Sequence, residues 1–313
     1  MAYYVATDSG GTKNETILFD ETGHILLRDV SPGGNAMDLG VEEVARRVLA
    51  TLRRVQKHIP SGVPDQAFLG VSSVIYYHEQ LTDLVDKELP GWKIYWEDGG
   101  PGMMSSLLDQ RDGGCLVCGT GTSLFLRNQG EVYHIGGLGY LVDTRGSGYW
   151  LGQQALLAAF KYKEERGEET VLYDLICKQM GKPLEDAIPD IYAGGRAYIA
   201  SFARNVFTGR NMGDKVCRDI FEQGSRELAE LTWAAESHSE KTVDIIMSGG
   251  IFLHYPEYVQ AVISKSSPKF NMVPADVAPI FGCVKEAVWH AGSVVDEAFK
   301  QKFRAEYEAI VKK

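Results

Sequence analysis

Three glycine-rich stretches of this chain each follow an apolar run, and all three could bind anionic oxygens. They read DSGGTK at residues 8–13, GTGT at 119–122 and SGG at 248–250. Glycine lets another group approach the backbone closely, and consecutive amides in a turn form a concavity for such oxygens. A single stretch of this kind is most often an ordinary hairpin turn. Three of them after predicted strands favour a nucleotide phosphate site.

The two best-known phosphate-binding sequences are missing from the chain. It contains neither the P-loop pattern GxxxxGK[ST] nor the dinucleotide fingerprint GxGxxG. We therefore expect the phosphates to be bound by a different arrangement of turns.

Two aspartates stand where predicted strands end, and each could take part in phosphoryl transfer. Asp98 closes KIYWED (93–98) directly before GGPG, and Asp8 opens the first glycine-rich stretch. Enzymes catalyse this transfer mainly by positioning and charge neutralisation, and a carboxylate can accept the proton of the acceptor hydroxyl. Each aspartate also has a structural interpretation. Asp98 could cap a helix at MMSSLLDQ, and Asp8 could be a turn-forming residue.

The same order of elements occurs in both halves of the chain. Apolar runs predict strands at 3–7, 15–20 and 24–28, and again at 114–118, 123–127 and 131–135. Apolar residues at helical spacing predict a helix at 41–58, a mainly helical stretch at 152–240 and a long amphipathic helix over 284–310. Strand, glycine-rich turn and strand thus occur twice, which indicates two related α/β halves.

Composition limits the classes of partner. The 313 residues suffice for two modest domains, and the net charge of −10 comes with no basic stripe. We therefore expect no nucleic acid and no membrane among the partners. No apolar stretch reaches bilayer-spanning length, and five cysteines, an odd number, suggest reduced thiols in a cytoplasmic protein.

The motifs resemble those of a known superfamily. DSGGTK (8–13), CGTGTS (118–123) and MSGGIF (247–252) are similar to the two phosphate motifs and the adenosine motif of the actin-like ATPases, which include sugar kinases and Hsp70. GGLGYLVDTRGSGYWLG (136–152) resembles the N-acetylglucosamine kinase group and its BadF/BadG-type relatives. The resemblance covers most of the chain, with its motifs in family order.

The resemblance implies a fold and a division into domains. We expect two ribonuclease-H-like α/β domains with mixed sheets around a central nucleotide cleft. The first would span 1–111 and be completed by a C-terminal helix at 293–313. The second would span 112–292, with the helical stretch at 152–240 as an insert.

The resemblance also implies roles for individual residues. Asp98 would be the catalytic base, and Asp8 would bind Mg²⁺ through water. ATP phosphates would contact Gly10, Gly11, Thr12, Lys13, Gly119, Thr120 and Gly121, and the adenosine would pass Gly249 and Gly250. The sugar would contact Asn35, Ser73, Asp98, Thr120, Gly137 and Asp143.

The chain departs from the family pattern in the 136–152 motif. Leu138 stands where amino-sugar kinases usually carry a tryptophan beside the sugar. Asp143, Thr144 and Arg145 stand where Gly, Asp and Glu are common, so the acidic residue has moved by one position. A shift of one turns a side chain to the other face of an extended segment, although an irregular loop could still bring Asp143 to the sugar.

The resemblance leaves two functions open. The first is an ATP-dependent kinase of an amino sugar such as N-acetylglucosamine, acting with Mg²⁺ in a homodimer. The second is an ATPase that drives a conformational or electron-transfer partner, as the dehydratase activators with a bridged iron–sulfur cluster do. The CLVC sequence (115–118) has the spacing of cluster ligands, but it lies within an apolar strand, where packing is the simpler interpretation.

Overall fold

The structure is a computed structural model, and it describes residues 1–72, 74–98, 100 and 111–312. The chain divides into two compact units. Unit 1 comprises Met1–Arg111 and Ala275–Lys313, and unit 2 comprises Asp112–Pro274. Residues 275–292, which were expected from the sequence in the second domain, belong to unit 1.

Unit 1 is built on a mixed five-stranded sheet. Its strands are β1 Tyr3–Ser9, β2 Lys13–Asp20, β3 Ile25–Pro32, β4 Gln66–Val71 and β5 Ile94–Glu97. Their order is β3-β2-β1-β4-β5, with β1, β2 and β3 antiparallel and β4 and β5 parallel to β1. The carboxyl ends of β1, β4 and β5 therefore meet at one edge of the sheet.

Unit 2 repeats this topology. Its strands are β6 Gly113–Cys118, β7 Thr122–Asn128, β8 Glu131–Ile135, β9 Asp244–Ser248 and β10 Asn271–Pro274. Their order is β10-β9-β6-β7-β8, again with an antiparallel trio and two parallel strands. The prediction of two related halves with mixed α/β sheets is confirmed.

Helices connect and cover the strands. They are α1 Ala36–Leu39, α2 Val41–Gln56, α3 Val74–Asp86, α4 Gly148–Lys163, α5 Leu172–Met180, α6 Ile188–Ser201, α7 Ala203–Asn211, α8 Lys215–Ala235, α9 Gly250–His254, α10 Pro256–Ile263, α11 Ile280–His290 and α12 Glu297–Val311. Short 3-10 turns lie at Leu184–Ala187 and Glu236–His238. Among the described helices, none combines the length and the apolar character needed to cross a bilayer.

The sheet of unit 1 is buried on both faces. Val5 and Leu18 pack on the side of α2 and α3, whereas Ala6 and Ile17 pack on the side of α11 and α12. Successive residues of a strand point to opposite faces of the sheet, so neighbouring side chains are buried in different hydrophobic cores. This burial explains why the strands read as nearly continuous apolar runs.

The C-terminal region differs from its prediction in two respects. The single helix predicted over 284–310 is wrong, because the chain forms α11 and α12, separated at Gly292 with φ +81° and restarted by Asp296 as N-cap. Helix α11 is buried along Ile280–Val288 and packs on β1 and β4. That contact groups residues 275–292 with unit 1, a placement that the apolar spacing alone does not reveal.

Unit 2 has a single continuous core. Leu124 of β7, Leu151 of α4, Phe221 of α8 and Tyr258 of α10 are all buried within it. The stretch predicted to be helical at 152–240 contains α4 to α8, and α4 packs against α5, α6, α7 and α8. This bundle supports the start of α4, which lies beside the second glycine-rich turn.

Candidate active site

The first glycine-rich turn, between β1 and β2, is held by backbone hydrogen bonds. The amide of Gly10 donates to the carbonyl of Lys13 (2.9 Å), which closes the turn. The amide of Gly33 donates to Thr12 and that of Gly34 to Gly10, both at 3.1 Å. A Cβ on Gly33 would lie 2.2 Å from the Gly10 oxygen, so only glycine fits there. Residues 33–34 therefore fix the shape of the turn.

Asp8 lies at the penultimate position of β1, directly before this turn. It is opposite Glu15 of β2 in the antiparallel register. Burial raises the pKa of the Asp8 carboxyl to about 6, with Lys13 opposing the rise and Glu15 adding to it. Asp8 is therefore ionised at neutral pH, although its charge is poorly solvated.

Asp98 follows the last residue of β5 and is half-buried. The parallel register aligns Asp8 with Gly70 and Gly70 with Glu97, so Asp98 lies one residue beyond the row that contains Asp8. Adjacent strands are about 4.8 Å apart, which puts the Cα atoms of Asp8 and Glu97 about 10 Å apart. Both aspartates thus reach the carboxyl edge of one sheet. The helix that Asp98 was alternatively expected to cap lies outside the described residues.

Asn35 joins the same region through the chain. It is the N-cap of α1, and its Oδ1 accepts the amide of Met37 at 2.8 Å. Residues 33–34, which support the first turn, immediately precede it. The structure therefore holds Asn35 beside the turn, with its amide oxygen used as a helix cap. Ser73, the other sugar contact expected in this half, lies outside the described residues.

The second turn, at 119–121, is tied to the start of α4. The amide of Gly119 donates to Gly121 (2.9 Å), while the amides of Gly148 and Tyr149 donate to Gly119 (2.8 Å) and Thr120 (3.0 Å). Ser147 caps α4 by accepting the amide of Trp150. The carbonyls of Gly119 and Thr120 are thus occupied by helix amides, and that of Gly121 by the amide of Gly119.

The third turn packs directly on the end of β6. Gly249 has φ +112°, and a Cβ there would lie 2.4 Å from the Cys118 oxygen. Gly250 then begins α9. The second and third turns therefore lie side by side within unit 2.

Four glycines of these turns are not required by the fold itself. Gly10, Gly119, Gly121 and Gly250 lie outside the left-handed region that favours glycine. Among the described residues, and apart from the chain neighbours and the backbone of the same helix, no atom lies within 4 Å of a Cβ built on Gly119 or Gly250. The nearest atoms to Gly10 and Gly121 are at 3.8 and 3.6 Å, an ordinary contact distance. Side chains would fit here, so the open space suits a group that approaches the backbone from outside, as phosphate does.

The loop after β8 brings Asp143 back towards its beginning. Gly139 and Asp143 form an isolated bridge, and the Asp143 Oδ2 lies 3.3 Å from the position of a Cβ on Gly136. Gly137 contacts Ser123 so closely that a Cβ would lie 2.1 Å from its Oγ. Leu138, at the position usual for tryptophan, is 55% exposed. The loop is irregular, which is the condition under which the shifted Asp143 could still contact a sugar.

Comparison with known proteins identifies the family. The model of the BadF/BadG/BcrA/BcrD ATPase family matches residues 6–287. The chain belongs to this family. The resemblance inferred from the motifs is thereby confirmed.

Two curated relatives of this ATPase-family chain are sugar kinases by name. The N-acetylmuramic acid/N-acetylglucosamine kinase of Clostridium acetobutylicum is 26% identical over 304 residues, covering 91% of this chain and 97% of that protein. The N-acetyl-D-glucosamine kinase of Dictyostelium discoideum is 25% identical over 248 residues, covering 73% of this chain and 77% of that protein.

Solved structures share the fold of this ATPase-family chain. A protein of Chromobacterium violaceum, provisionally designated an N-acetylglucosamine kinase, superposes with a TM-score of 0.72 at 20% identity, covering 91% of this chain and 98% of that one. The ROK family glucokinase of Streptomyces griseus, in complex with glucose and AMPPNP, gives a TM-score of 0.63 at 15% identity, covering 91% and 99%. These likenesses confirm the expected α/β fold.

The two cysteines of the CLVC sequence are buried in β6 of this ATPase-family chain. Both Cys115 and Cys118 are inaccessible to solvent, and burial raises the pKa of each thiol well above its usual range. A thiol that stays protonated is a poor metal ligand, since metals bind the thiolate. The burial of Cys115 and Cys118 favours a role in packing over a role as iron–sulfur cluster ligands.

Sequence reasoning missed Glu15, which adjoins the first turn. Its side chain is 2% exposed and contacts Lys13, Arg28 and Tyr307. Burial raises the pKa of the Glu15 carboxyl, but the charges of Lys13 and Arg28 outweigh that effect and hold the pKa below its usual range. The signal available in the sequence was a charged residue at the start of the apolar run predicted as a strand at 15–20.

Proposed function

We propose that this protein transfers the γ-phosphoryl group of ATP to a hydroxyl of an amino sugar such as N-acetylglucosamine. The observation that carries the proposal is the set of turn glycines that the fold does not require, namely Gly10, Gly119, Gly121 and Gly250. Membership of an ATPase family and the names of the curated relatives support it.

In this proposal the turns bind the phosphates through their amides. Gly10, Gly11, Thr12 and Lys13 would face the β- and γ-phosphates, and Gly119, Thr120 and Gly121 would also bind ATP phosphates. Gly249 and Gly250 would lie along the adenosine. Backbone amides are suited to this role because they are fixed before the phosphate arrives and so cost little reorganisation.

Asp8 fits the requirements of a magnesium site. Mg²⁺ prefers oxygen ligands and keeps several of its waters, so one carboxylate beside a phosphate turn suffices. When bound, Mg²⁺ would neutralise charge on the phosphate oxygens. Asp8, whose pKa is about 6, would offer an ionised carboxylate at neutral pH.

Asp98 would act as the general base. As the sugar oxygen attacks the γ-phosphorus, its proton would pass to the Asp98 carboxylate while the bond from the γ-phosphorus to the bridging oxygen of ADP breaks. Asn35 could donate a hydrogen bond to the sugar through its Nδ2, since its Oδ1 caps α1. Ser73, Thr120, Gly137 and Asp143 would complete the sugar contacts.

An ATPase that drives a partner protein is the second candidate, and the family's name is what favours it. A bridged iron–sulfur cluster would need accessible thiolates, whereas Cys115 and Cys118 are buried with raised pKa values. This candidate predicts ATP hydrolysis that no sugar stimulates.

A coupled assay of ADP release tests the proposal. The wild-type protein is screened with hexoses, hexosamines and their N-acetyl forms, and the product is identified by mass spectrometry. For the best sugar, Asp98→Asn should lower kcat by about 10²- to 10⁴-fold, the range that general-base catalysis supplies. Calorimetry should show unchanged nucleotide affinity in the same variant.

Asp83→Asn is a matched control, because Asp83 lies on α3 of the same unit and its side chain is 73% exposed. It should retain full turnover. ADP release that is indifferent to every sugar would reject the kinase proposal in favour of the second candidate. Near-normal turnover in Asp98→Asn would remove Asp98 as the base.

A further inference from the structure

We infer that Glu15 is a positioning residue that holds the ammonium of Lys13 at the first phosphate turn. The inference rests on the phosphate-binding role proposed above for Lys13. Glu15 itself would not contact the nucleotide. It would act by fixing where the lysine charge lies before ATP binds.

Lys13 begins β2, and Glu15 follows two residues later on the same face of the strand. The Lys13 Nζ lies 2.5 Å from the Glu15 Oε2, and the Lys13 side chain is 48% exposed. An ammonium carries three hydrogens, so one bond to Glu15 leaves two for phosphate oxygens. The lysine is thus anchored yet accessible.

The other oxygen of Glu15 is held by two different elements. Its Oε1 accepts from the Nε of Arg28 on β3 at 2.5 Å and from the hydroxyl of Tyr307 on α12 at 2.9 Å. The Arg28 guanidinium also lies 5.5 Å from the centre of the Tyr307 ring. Each oxygen of the carboxylate therefore has its own partners. Because Oε1 is fixed by two donors, Oε2 presents to Lys13 at a fixed place.

This arrangement explains an otherwise unfavourable choice of residue. A carboxylate that is 2% exposed is costly to bury unless it is paired and hydrogen-bonded. One arginine would be enough to neutralise it, and an apolar residue would avoid the cost altogether. The Glu15 carboxylate additionally fixes the position of the flexible Lys13 side chain at the edge of the turn.

A double-mutant cycle tests the inference. Calorimetry measures the affinity for Mg²⁺ and AMPPNP, an ATP analogue, in the wild type, Glu15→Gln, Lys13→Ala and the double variant. Glu15→Gln should weaken binding about tenfold. In the Lys13→Ala background the same change should have no further effect, because there is no lysine left to position. Equal losses in both backgrounds would show a merely structural role and overturn the inference.

Asp29→Asn is the matched control. Asp29 is a carboxylate of the adjacent strand β3, opposite Thr16 in the register, and it pairs with Arg54 at 2.7 Å rather than with Lys13. It should leave AMPPNP affinity unchanged. If Glu15→Gln does not fold, Tyr307→Phe replaces it, since this variant removes one hydrogen bond to Glu15 and keeps the ring. Tyr307→Phe should weaken AMPPNP binding when Lys13 is present and should have no effect in the Lys13→Ala background. Unchanged binding when Lys13 is present would overturn the inference.

The measurement of AMPPNP affinity needs no sugar, so failure of the kinase proposal can be distinguished from failure of the inference about Glu15. Absence of sugar phosphorylation together with the expected coupling would reject the kinase proposal and leave the role of Glu15 standing. Wild-type affinity in Lys13→Ala would reject the phosphate role of Lys13 and the inference about Glu15 with it.

Discussion

Gly249 lies against the carbonyl oxygen of Cys118, at the point where strands β6 and β9 of unit 2 end side by side. A Cβ on Gly249 would be 2.4 Å from that oxygen, and the residue has φ +112°. Gly119, the residue after Cys118, is different, because no atom of the described residues other than its own chain neighbours lies within 4 Å of its Cβ position. The two glycines stand at adjacent turns for different physical reasons.

Gly249→Ala should destabilise the protein. The new methyl group would clash with backbone, and the left-handed φ adds strain, so we expect a loss of about 1–3 kcal/mol in the free energy of unfolding. Urea denaturation monitored by tryptophan fluorescence measures it. Gly62→Ala is a control for strain without crowding, since Gly62 also has positive φ but open space around it among the described residues. Equal losses in the two variants would contradict the role of close contact.

Gly119→Ala should leave the fold intact and impair nucleotide binding. Its backbone needs no glycine, so the free energy of unfolding should stay unchanged or rise by about 0.4–1 kcal/mol through the restricted unfolded state. The methyl group would occupy the space proposed for phosphate, and the Kd for AMPPNP should rise at least about tenfold, a change that calorimetry resolves. A stable variant with wild-type affinity would show that the open space is not the phosphate site.

Asp8→Asn should stabilise the ligand-free protein and weaken its binding of ATP with Mg²⁺. At pH 7 the wild-type carboxylate is ionised and poorly solvated, with a pKa of about 6. Removing that charge should raise the free energy of unfolding of the ligand-free protein by about 1–2 kcal/mol. The variant should also lose the gain in ATP affinity that Mg²⁺ provides, as measured by calorimetry with and without the ion. An undiminished magnesium effect would reject Asp8 as the ligand.

Asp20 lies in the hairpin between β2 and β3, and its carboxylate should stabilise the protein in a pH-dependent manner. Its Oδ1 accepts from the amide (2.8 Å) and hydroxyl (2.6 Å) of Thr22 and from the amide of His24 (3.1 Å). Burial raises the pKa of this carboxyl, but these hydrogen bonds outweigh it and hold the pKa below the usual 3.8.

An acid whose pKa is lower in the folded state stabilises the protein above its unfolded pKa and loses that effect as pH falls. Asp20→Ala should therefore cost about 1–2 kcal/mol at pH 7, as capping residues do, and progressively less below about pH 4. Unfolding in urea at several pH values measures the difference, with the exposed Asp83→Ala as control. A cost independent of pH would contradict the role of the charge.

The strands and turns of both units were predictable because their signals are local. An apolar run followed by glycine defines a strand end whatever packs on it, so β1, β2, β6 and β7 were found with errors of a few residues at their ends. The C-terminal region was harder to predict, since apolar residues at helical spacing continue across Gly292 and conceal the break between α11 and α12. The homodimer, the cytoplasmic location and the identity of the sugar stay predictions.

The sequence by itself determined the family, the repeated α/β topology and the candidate phosphate turns, because consecutive residues form each of these features. Only the tertiary structure showed that Gly33 supports the first turn and that Gly249 lies against Cys118. It alone joined Glu15 to Tyr307, 292 residues further along the chain. Such contacts depend on which helix covers which face of a sheet. That choice is made by packing over the whole unit and leaves little trace in local spacing.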